Sequence, residues 1–381
     1  MINLDLENME CCLMENSMWE YINSQSSILK NILNKELQQL EDLIMDIDME
    51  QVERILFVGS GTSYNVGIAV KFMFEDLLKK EIRVEYPFPL RKYSTLLNNE
   101  NSESTLVIAI SQSGKSIGTI ECLKMAKSFG MKIVCLTSNI DSDITKEANY
   151  IIPILCGDEK VGPKTKGYTT TLLTLQIIAL CLSKKMCLIT CEDYDKNIKN
   201  IAEALNKIDK VVKVSNQWVK NNSEWSKASG IYIVGYGSNL GTAFEGGLKL
   251  METIRKPICP FDIEEYIHGP YNAIDKDTHI IFINSGYKGD SEMKKVVNFL
   301  KDITDKYLVI NFEDDNNNVE YEYQTISIPK YEEYISPLLA ILPFQVIASE
   351  IPKLLGINPG IPRYTNFHDI MGSKKGLVDF N

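Results

Sequence analysis

The sequence predicts an α/β protein with two related domains in tandem, each a parallel sheet covered by helices on both faces. Short apolar runs alternate with stretches of helical periodicity, several runs end in glycine- and serine-rich turns, and the whole pattern occurs twice in 381 residues. Apolar residues make up 44% of the chain and charged residues 24%, which is typical of a protein with a sizeable core.

The first half is predicted to hold an N-terminal helical segment and then five strands. Residues 1–50 have leucine and isoleucine at helical spacing, as in ILKNILNKELQQLEDLIMDI. Strands are expected in the runs ILFV, IRVEY, TLVIAI, MKIVCL and NYIIPIL. YNVGIAVKFMFEDLLKK and SIGTIECLKMAKSFG lie between strands and have helical spacing. A helix-rich connector is expected over residues 168–220.

The alternation restarts near residue 231. Strands are predicted in IYIVG, THIIFIN, YLVINF and QTISIP, with helices over LGTAFEGGLKLMETI, near 291–304 and around 333–354. The halves look like distant copies, because FVGSGTSYNVG and IVGYGSNLGTA both run from a strand through a Gly/Ser turn into a helix. The expected division is a helical segment, two α/β domains and a tail that wraps over the fold, at residues 1–50, 51–200, 201–355 and 356–381.

Composition argues against several classes of protein. The net charge is −11, and residues 1–50 hold eleven acidic residues against Lys30 and Lys35, so a basic surface for nucleic acid is not expected. No apolar run approaches the ~18 residues that cross a membrane, and the acidic N-terminus lacks a signal pattern, so a cytoplasmic location is expected. Nine cysteines without a C-x-x-C pair, and only three histidines, predict reduced buried thiols and no metal site.

Two turns in the first half are candidate phosphate sites. GSGTSYN (59–65) and SQSGKS (111–116) each follow a strand and open a helix. Glycines expose backbone N–H groups, hydroxyls add donors, and the helix N-terminus is partly positive. Neither turn has P-loop or G-x-G-x-x-G spacing, so a nucleotide is not the first expectation. The alternative is that both turns only connect strands to helices.

Three further segments carry charged candidates. Lys164 and Lys166 stand between glycines in GDEKVGPKTKGYTTT, where a solvated loop is the alternative. In EGGLKLMETI, Glu245, Lys249 and Glu252 share one helix face, either as ordinary salt pairs or as the lining of a polar pocket. His268 precedes Gly-Pro; its imidazole suits proton transfer to a sugar oxygen, and a carboxylate suits C–H proton abstraction, although a lone histidine is often structural.

Taken in order, GTSYN, SQSG, KTKGYT, EGGLKLMETI and E-x-x-HGP resemble the sugar isomerase (SIS) family, over about residues 50–365. The resemblance includes the isomerase half of glucosamine-6-phosphate synthases and the fructoselysine- and glucoselysine-6-phosphate deglycases. It implies two SIS domains, each a three-layer αβα unit with a five-stranded parallel sheet, and a sugar-phosphate ligand. It implies no metal or organic cofactor.

The resemblance also implies roles for individual residues. Glu252 matches the base that moves a proton between C1 and C2, and Lys249 and Glu245 match its helical neighbours. His268 matches the histidine that opens the sugar ring from the partner subunit, so a homodimer with a shared site is implied, and Glu265 matches the acid before it. The implied sugar-phosphate contacts lie in the two turns: Gly61, Thr62, Ser63, Ser111, Gln112, Ser113 and Ser116.

Two departures from the synthase pattern shape the functional expectation. Ile2 stands where a glutaminase nucleophile would be cysteine, and residues 1–50 are too few for that domain, so ammonia from glutamine is not expected. Phe367 aligns with the synthase's imine-forming lysine, and only Lys374 and Lys375 lie near it. We therefore expect a deglycase of 6-phosphorylated Amadori-type amino sugars. An aldose–ketose isomerase, an aminating isomerase and a sugar-phosphate sensor are the alternatives.

Overall fold

The computed structural model describes residues 18–98, 102–314, 320–322 and 324–373, and these form two α/β domains preceded by an N-terminal helical segment. That segment consists of α1 (Met18–Asn31), a π-helical turn (Ile32–Glu36) and α2 (Leu37–Met45). Its apolar side chains, among them Ile22, are buried in the same core as the first sheet. Most of the predicted N-terminal helical segment is therefore confirmed, and residues 1–17 lie outside the described part.

The first domain alternates strands and helices as the sequence predicts. Its elements are β1 (Arg54–Val58), α3 (Thr62–Leu78), β2 (Glu81–Glu85), α4 (Pro87–Lys92), β3 (Thr105–Ile110), α5 (Ile117–Ser128), β4 (Lys132–Thr137), β5 (Tyr150–Pro153) and α6 (Lys166–Lys185). The connector continues with α7 (Cys191–Leu205) and α8 (Ile208–Asn221). A Thr190 capping box starts α7, because the threonine hydroxyl accepts from the Asp193 N–H and the Asp193 carboxylate accepts from the Thr190 N–H.

The second domain repeats this order. Its elements are β6 (Ile231–Gly235), α9 (Asn239–Ile254), β7 (Ile258–Asp262), α10 (Ile263–Ile267), β8 (His279–Asn284), α11 (Asp290–Leu300), β9 (Tyr307–Glu313), β10 (Glu320–Glu322), β11 (Thr325–Pro329), α12 (Ser336–Leu354) and, in the tail, α13 (Phe367–Met371). Strands β7 and β10 and helices α10 and α13 are additions to the predicted pattern. Periodicity does not reveal elements of three to five residues.

Both sheets have the same arrangement of parallel strands. The orders are β2-β1-β3-β4-β5 and β10-β11-β9-β8-β6-β7, with β10 as an antiparallel addition at one edge. All six residues of β3 and of β8 are buried, as expected for central strands with helices on both faces. The predicted pair of parallel sheets flanked by helices is confirmed. Because the strands are parallel, the turns after β1 and β3 lie at one edge of the first sheet.

The two domains pack directly through α3 and α9. A Cβ added to Gly241 on α9 would lie 2.5 Å from the Asn65 carbonyl oxygen on α3, so only glycine permits this approach. The contact places the helix that follows the first glycine-rich turn against the helix that carries Glu252. The geometry of the site depends on this interface.

The last long helix is more apolar than the sequence analysis expects, and the tail runs over the surface of the fold. The stretch Glu333–Leu354 is long and apolar enough to span a membrane by length and composition, yet 89% of its most apolar window is buried inside the fold. The tail crosses the surface from Arg255, whose Nη2 donates to the Ile361 carbonyl oxygen at 2.6 Å, to Ile117, whose N–H donates to Ser373 O at 3.4 Å. Residues 361–373 are exposed, so the tail lies on the fold without burying its side chains.

Candidate active site

The first glycine turn, residues 59–65, joins β1 to α3. Gly61 has φ +55°, a left-handed conformation that favours glycine, and it directs the chain into the helix at Thr62. A Cβ on Gly61 would lie 3.6 Å from Leu248 Cδ2, so the turn faces α9 of the second domain. Thr62 and Ser63 are half-buried in the first turn of α3, where backbone N–H groups and the helix dipole favour an anion.

The second glycine turn, residues 111–116, joins β3 to α5 and is tied to the end of β4. The Gln112 carbonyl oxygen accepts from the Ser138 N–H at 2.9 Å and from the Ser138 hydroxyl at 2.7 Å. Gly114 has φ +67°, and a Cβ there would collide with the Ser142 side chain. Ser111 is buried, Ser113 is exposed, and the half-buried Ser116 accepts from the Thr119 hydroxyl at 3.0 Å. The turn is rigid and presents Ser113 outward.

Glu245, Lys249 and Glu252 form a continuous row along α9. Lys249 Nζ lies 3.5 Å from Glu245 Oε1 and 2.6 Å from Glu252 Oε2. Glu245 and Lys249 are buried, whereas the Glu252 side chain is 36% exposed. The row therefore runs from the interior to a carboxylate that solvent or a ligand can reach.

Burial and mutual attraction set the charges in this row. Burial raises the pKa of Glu245 above its ordinary value, although Lys249 and Asn65 act in the opposite direction. Burial alone would lower the pKa of Lys249, but the carboxylates of Glu245, Glu252 and Glu159 hold it above its ordinary value. Lys249 therefore remains a cation at neutral pH, and its ammonium group lies beside the accessible Glu252 carboxylate.

Glu245 connects the row to the first glycine turn across the domain interface. Its Oε1 accepts from the Thr62 hydroxyl at 3.0 Å and its Oε2 accepts from Asn65 Nδ2 at 2.8 Å. The single hydroxyl hydrogen of Thr62 is thus directed at Glu245 rather than at the turn. In this arrangement the backbone N–H of Thr62 remains available to an anion, and its side chain helps to position α9.

The loop before α6 brings a third acid to the site. Glu159 accepts from the Thr165 N–H at 2.6 Å, from the Thr165 hydroxyl at 2.7 Å and from the Gly167 N–H at 3.0 Å. Lys164 Nζ donates to the Glu159 carbonyl oxygen at 2.5 Å, so it lies at this loop. Lys166 is buried, with Nζ 4.7 Å from the centre of the Tyr21 ring on α1. The two lysines therefore have different surroundings.

The remaining candidates that the structure describes lie on the surface. His268 follows α10, its side chain is 68% exposed, and its Nε2 lies 3.1 Å from Glu264 Oε1. Glu265 on the same helix is exposed, and so is Phe367 in the tail. Lys374 and Lys375 lie outside the described residues. One chain thus joins Glu245 to the first glycine turn, with Glu252 linked to Glu245 through Lys249, and leaves His268 on the surface.

Sequence reasoning missed three residues of this network: Asn65, Glu159 and Tyr168. Asn65 lies in the GTSYN motif one helical turn after Thr62, so helical spacing could have identified it. Glu159 has no such signal, because its partners depend on how the loop folds. Burial, with the nearby Glu245 charge, raises the pKa of Tyr168, so its phenol stays protonated beside that carboxylate. In the part of the chain that the structure describes, no group of three or more His, Cys, Asp or Glu residues could hold a metal ion.

The duplicated parallel sheet with glycine turns at the strand ends defines a tandem α/β protein with a polar site between its halves. The family model of the SIS domain matches residues 48–181 and 224–350, and the chain belongs to that family. It is 31% identical to a Clostridium difficile 630 protein provisionally described as a phosphosugar isomerase, whose crystal structure superposes with a TM-score of 0.83 over 94% of this chain and 99% of that one.

Two further comparisons involve an aminotransferase. The chain is 25% identical over 355 residues to the glutamine–fructose-6-phosphate aminotransferase [isomerizing] of Clostridium tetani, covering 91% of this chain and 57% of that protein. The chain thus spans little more than half the length of this curated relative. The C-terminal domain of the Francisella tularensis glucosamine-fructose-6-phosphate aminotransferase shares the fold, with a TM-score of 0.78 at 21% identity, over 91% of this chain and 98% of that one.

Proposed function

We propose that this chain is an enzyme that transfers a proton between C1 and C2 of a 6-phosphorylated sugar. The observation that carries the proposal is the row of Glu245, Lys249 and Glu252, which is joined to the first glycine turn through Thr62. A donor-rich turn suits a phosphate, and a carboxylate on a rigid helix suits removal of a C–H proton. The isomerisation named in two of the relatives supports this chemistry.

Each member of the row has a distinct proposed part. Glu252 is the base because it is the accessible carboxylate of the three charged groups. Lys249, held as a cation by its acidic neighbours, stabilises the negative oxygen that develops when the carbon loses its proton. Glu245 positions Lys249 and the turn. The two glycine turns hold the phosphate, with Ser63, Gln112, Ser113 and Ser116 as side-chain donors.

The finer proposal is that the substrate is an Amadori-type amino sugar phosphate. Phe367, where the synthases have an imine-forming lysine, supports a substrate that carries its own nitrogen. Glu252 takes a proton from C1 and leaves an enolamine. Glu252 returns that proton to C2 while the nitrogen lone pair forms a C=N bond to C1, and the N–H proton passes to the C2 oxygen, which becomes a hydroxyl. Water adds to C1 and the C–N bond breaks, which releases a hexose 6-phosphate and a free amine.

His268 is proposed to assist ring opening in the site of a second copy of this chain. Its 68% exposed side chain, which contacts Glu264 on the adjacent helix, supports a role across an interface. Mixed dimers of Glu252→Gln and His268→Ala chains contain one intact site, so random mixing should restore about one quarter of wild-type activity. An active monomer in sedimentation, or no recovery on mixing, would remove the shared site.

The decisive experiment incubates purified protein with 6-phosphorylated Amadori compounds, amino sugars and ketoses, in deuterated water. Release of hexose 6-phosphate with free amine supports the deglycase, and interconversion without amine release supports an isomerase. Glu252→Gln keeps the side-chain volume but removes the base, so turnover should fall by at least ~10²-fold with little change in ligand affinity. Glu292→Gln, an exposed acid on α11, is the matched control. Binding without turnover by any compound would indicate a sensor and overturn the proposal.

A further inference from the structure

The second domain contains a counterpart of the first glycine turn. Residues 235–239 join β6 to α9 as residues 59–65 join β1 to α3. Gly237 has φ +56° and Gly61 has φ +55°, and Ser238 stands where the first domain has Thr62. The same backbone form therefore occurs twice, each time at a helix N-terminus that attracts anions.

The second glycine turn is repeated as well. Strand β8 ends at Asn284 and the turn after it contains Gly286, and β3 is likewise followed by a turn that contains Ser111 and Gly114. Gly286 has φ +71° and Gly114 has φ +67°. The backbone alone would thus offer two phosphate sites in each chain.

In the second domain this position is filled by a carboxylate of the chain itself. A Cβ added to Gly237 would collide with the carboxylate of Glu333, and the backbone N–H of the adjacent Ser238 favours the charged form of that carboxylate. Lys288 contributes favourable charge from the turn after β8, while burial raises the pKa of Glu333. Glu333 thus lies where a bound anion would meet the turn.

An aromatic ring fills the rest of the second-domain turn. Tyr236 is buried, and a Cβ on Gly289 would lie 2.7 Å from its ring. The Tyr236 hydroxyl donates to Asn284 Oδ1 at 2.8 Å, so the side chain reaches from the turn after β6 to the end of β8. The first domain has the small, exposed Ser60 at the equivalent position, which leaves its turn accessible.

The first domain has an acid at the equivalent place in the chain, but that acid points elsewhere. Glu159 lies between β5 and α6, as Glu333 lies between β11 and α12. Its carboxylate accepts from Thr165 and Gly167 in its own loop rather than from the turn after β1. The loop between β5 and α6 therefore leaves the turn after β1 open, whereas the loop between β11 and α12 closes the turn after β6.

We propose that Glu333 is the resident anion of the turn at residues 235–239 and closes it to phosphorylated ligands, so that each chain has one sugar-phosphate site. A carboxylate carries the charge and the acceptor oxygens that a helix N-terminus favours. Placing the Glu333 carboxylate at the turn also costs less entropy than binding a diffusible ligand, because the chain already holds the side chain there. The proposal concerns the number of sites and does not depend on which sugar the first domain binds.

The test measures binding of inorganic phosphate, labelled with ³²P, by equilibrium dialysis against folded wild type and Glu333→Ala. Shortening the side chain should add one phosphate equivalent per chain to whatever number wild type binds. Glu333→Gln, which keeps the volume, and Glu332→Ala, its neighbour in the same loop, should add none. Because the readout is the increment, it is informative even if the first domain binds no phosphate and the proposed function fails.

The outcomes are separable. No added equivalent in folded Glu333→Ala, or a second equivalent already present in wild type, overturns the proposal. Should Glu333→Ala unfold in dilute buffer, recovery of its circular dichroism by phosphate, and not by sodium chloride of equal ionic strength, supports it. Equal recovery by both salts overturns it, because general screening would then account for the effect.

Discussion

Replacing Glu245 by alanine tests whether one buried carboxylate holds α9 against the first glycine turn. The carboxylate accepts from Thr62 at 3.0 Å and Asn65 at 2.8 Å, and it lies 3.5 Å from Lys249 Nζ. Alanine leaves the buried Asn65 donor unpaired, at about 1–3 kcal/mol. It also breaks a buried ion pair, at about 3–5 kcal/mol. The terms overlap because they share one carboxylate, so we expect a net loss of about 3 kcal/mol in the free energy of unfolding.

Urea unfolding, followed by fluorescence of the buried Trp218 and Trp225, measures this loss. Glu252→Ala is the matched control on the same helix; its side chain is 36% exposed, so its loss should be about 1 kcal/mol or less. Glu245→Gln keeps the volume and one acceptor and should fall between the two. Equal urea midpoints for Glu245→Ala and Glu252→Ala would refute the reasoning.

The burial of Glu245 also predicts that stability depends on pH, and Glu245→Gln tests this prediction. Burial holds the pKa of Glu245 above its ordinary value of 4.5, so folding favours the protonated acid. The stabilising contribution of that acid is complete below pH 4.5 and declines as pH rises through the raised pKa. The stability of Glu245→Gln relative to wild type should therefore increase as pH rises from 4.5. A difference that is constant across this range would show that Glu245 has no raised pKa.

Three further predictions address the turns and the thiols. Gly114→Ala should lose more stability than Gly130→Ala. Both glycines have positive φ, which costs a residue with a side chain about 1–2 kcal/mol, but only a Cβ at Gly114 would also collide with a serine. Equal thermal midpoints would contradict this prediction. Ser113→Ala should weaken binding of a phosphorylated ligand by about 1–3 kcal/mol and leave an unphosphorylated analogue unaffected, as isothermal titration would show. Burial raises the pKa of Cys135 to about 12, so at pH 8 mass spectrometry should find iodoacetamide on the exposed Cys187 and on Cys135 only after unfolding.

Most of the fold follows from local pattern in the sequence. Strands β1, β3 and β8 are short apolar runs followed by glycine-containing turns, and the stretches after them have apolar residues at helical spacing. Gly61 and Gly114, which have positive φ, lie in turns that the glycine and serine residues of the sequence already predict. The shared face of Glu245, Lys249 and Glu252 also follows from helix geometry alone. Short elements such as β10 escape this reasoning because they contain too few residues to show a period.

The partners of these residues were decided by the tertiary structure. The sequence by itself determined that two glycine turns, a row of charges and a duplicated sheet exist. Only the packing of α3 on α9 directs the Thr62 hydroxyl to Glu245, and only the loop before α12 brings Glu333 to Gly237. Contacts between residues more than ninety positions apart depend on how whole elements pack, and local periodicity carries no information about that. The sequence therefore specified the chemical groups, and the fold determined which glycine turn stays open and which carboxylate faces solvent.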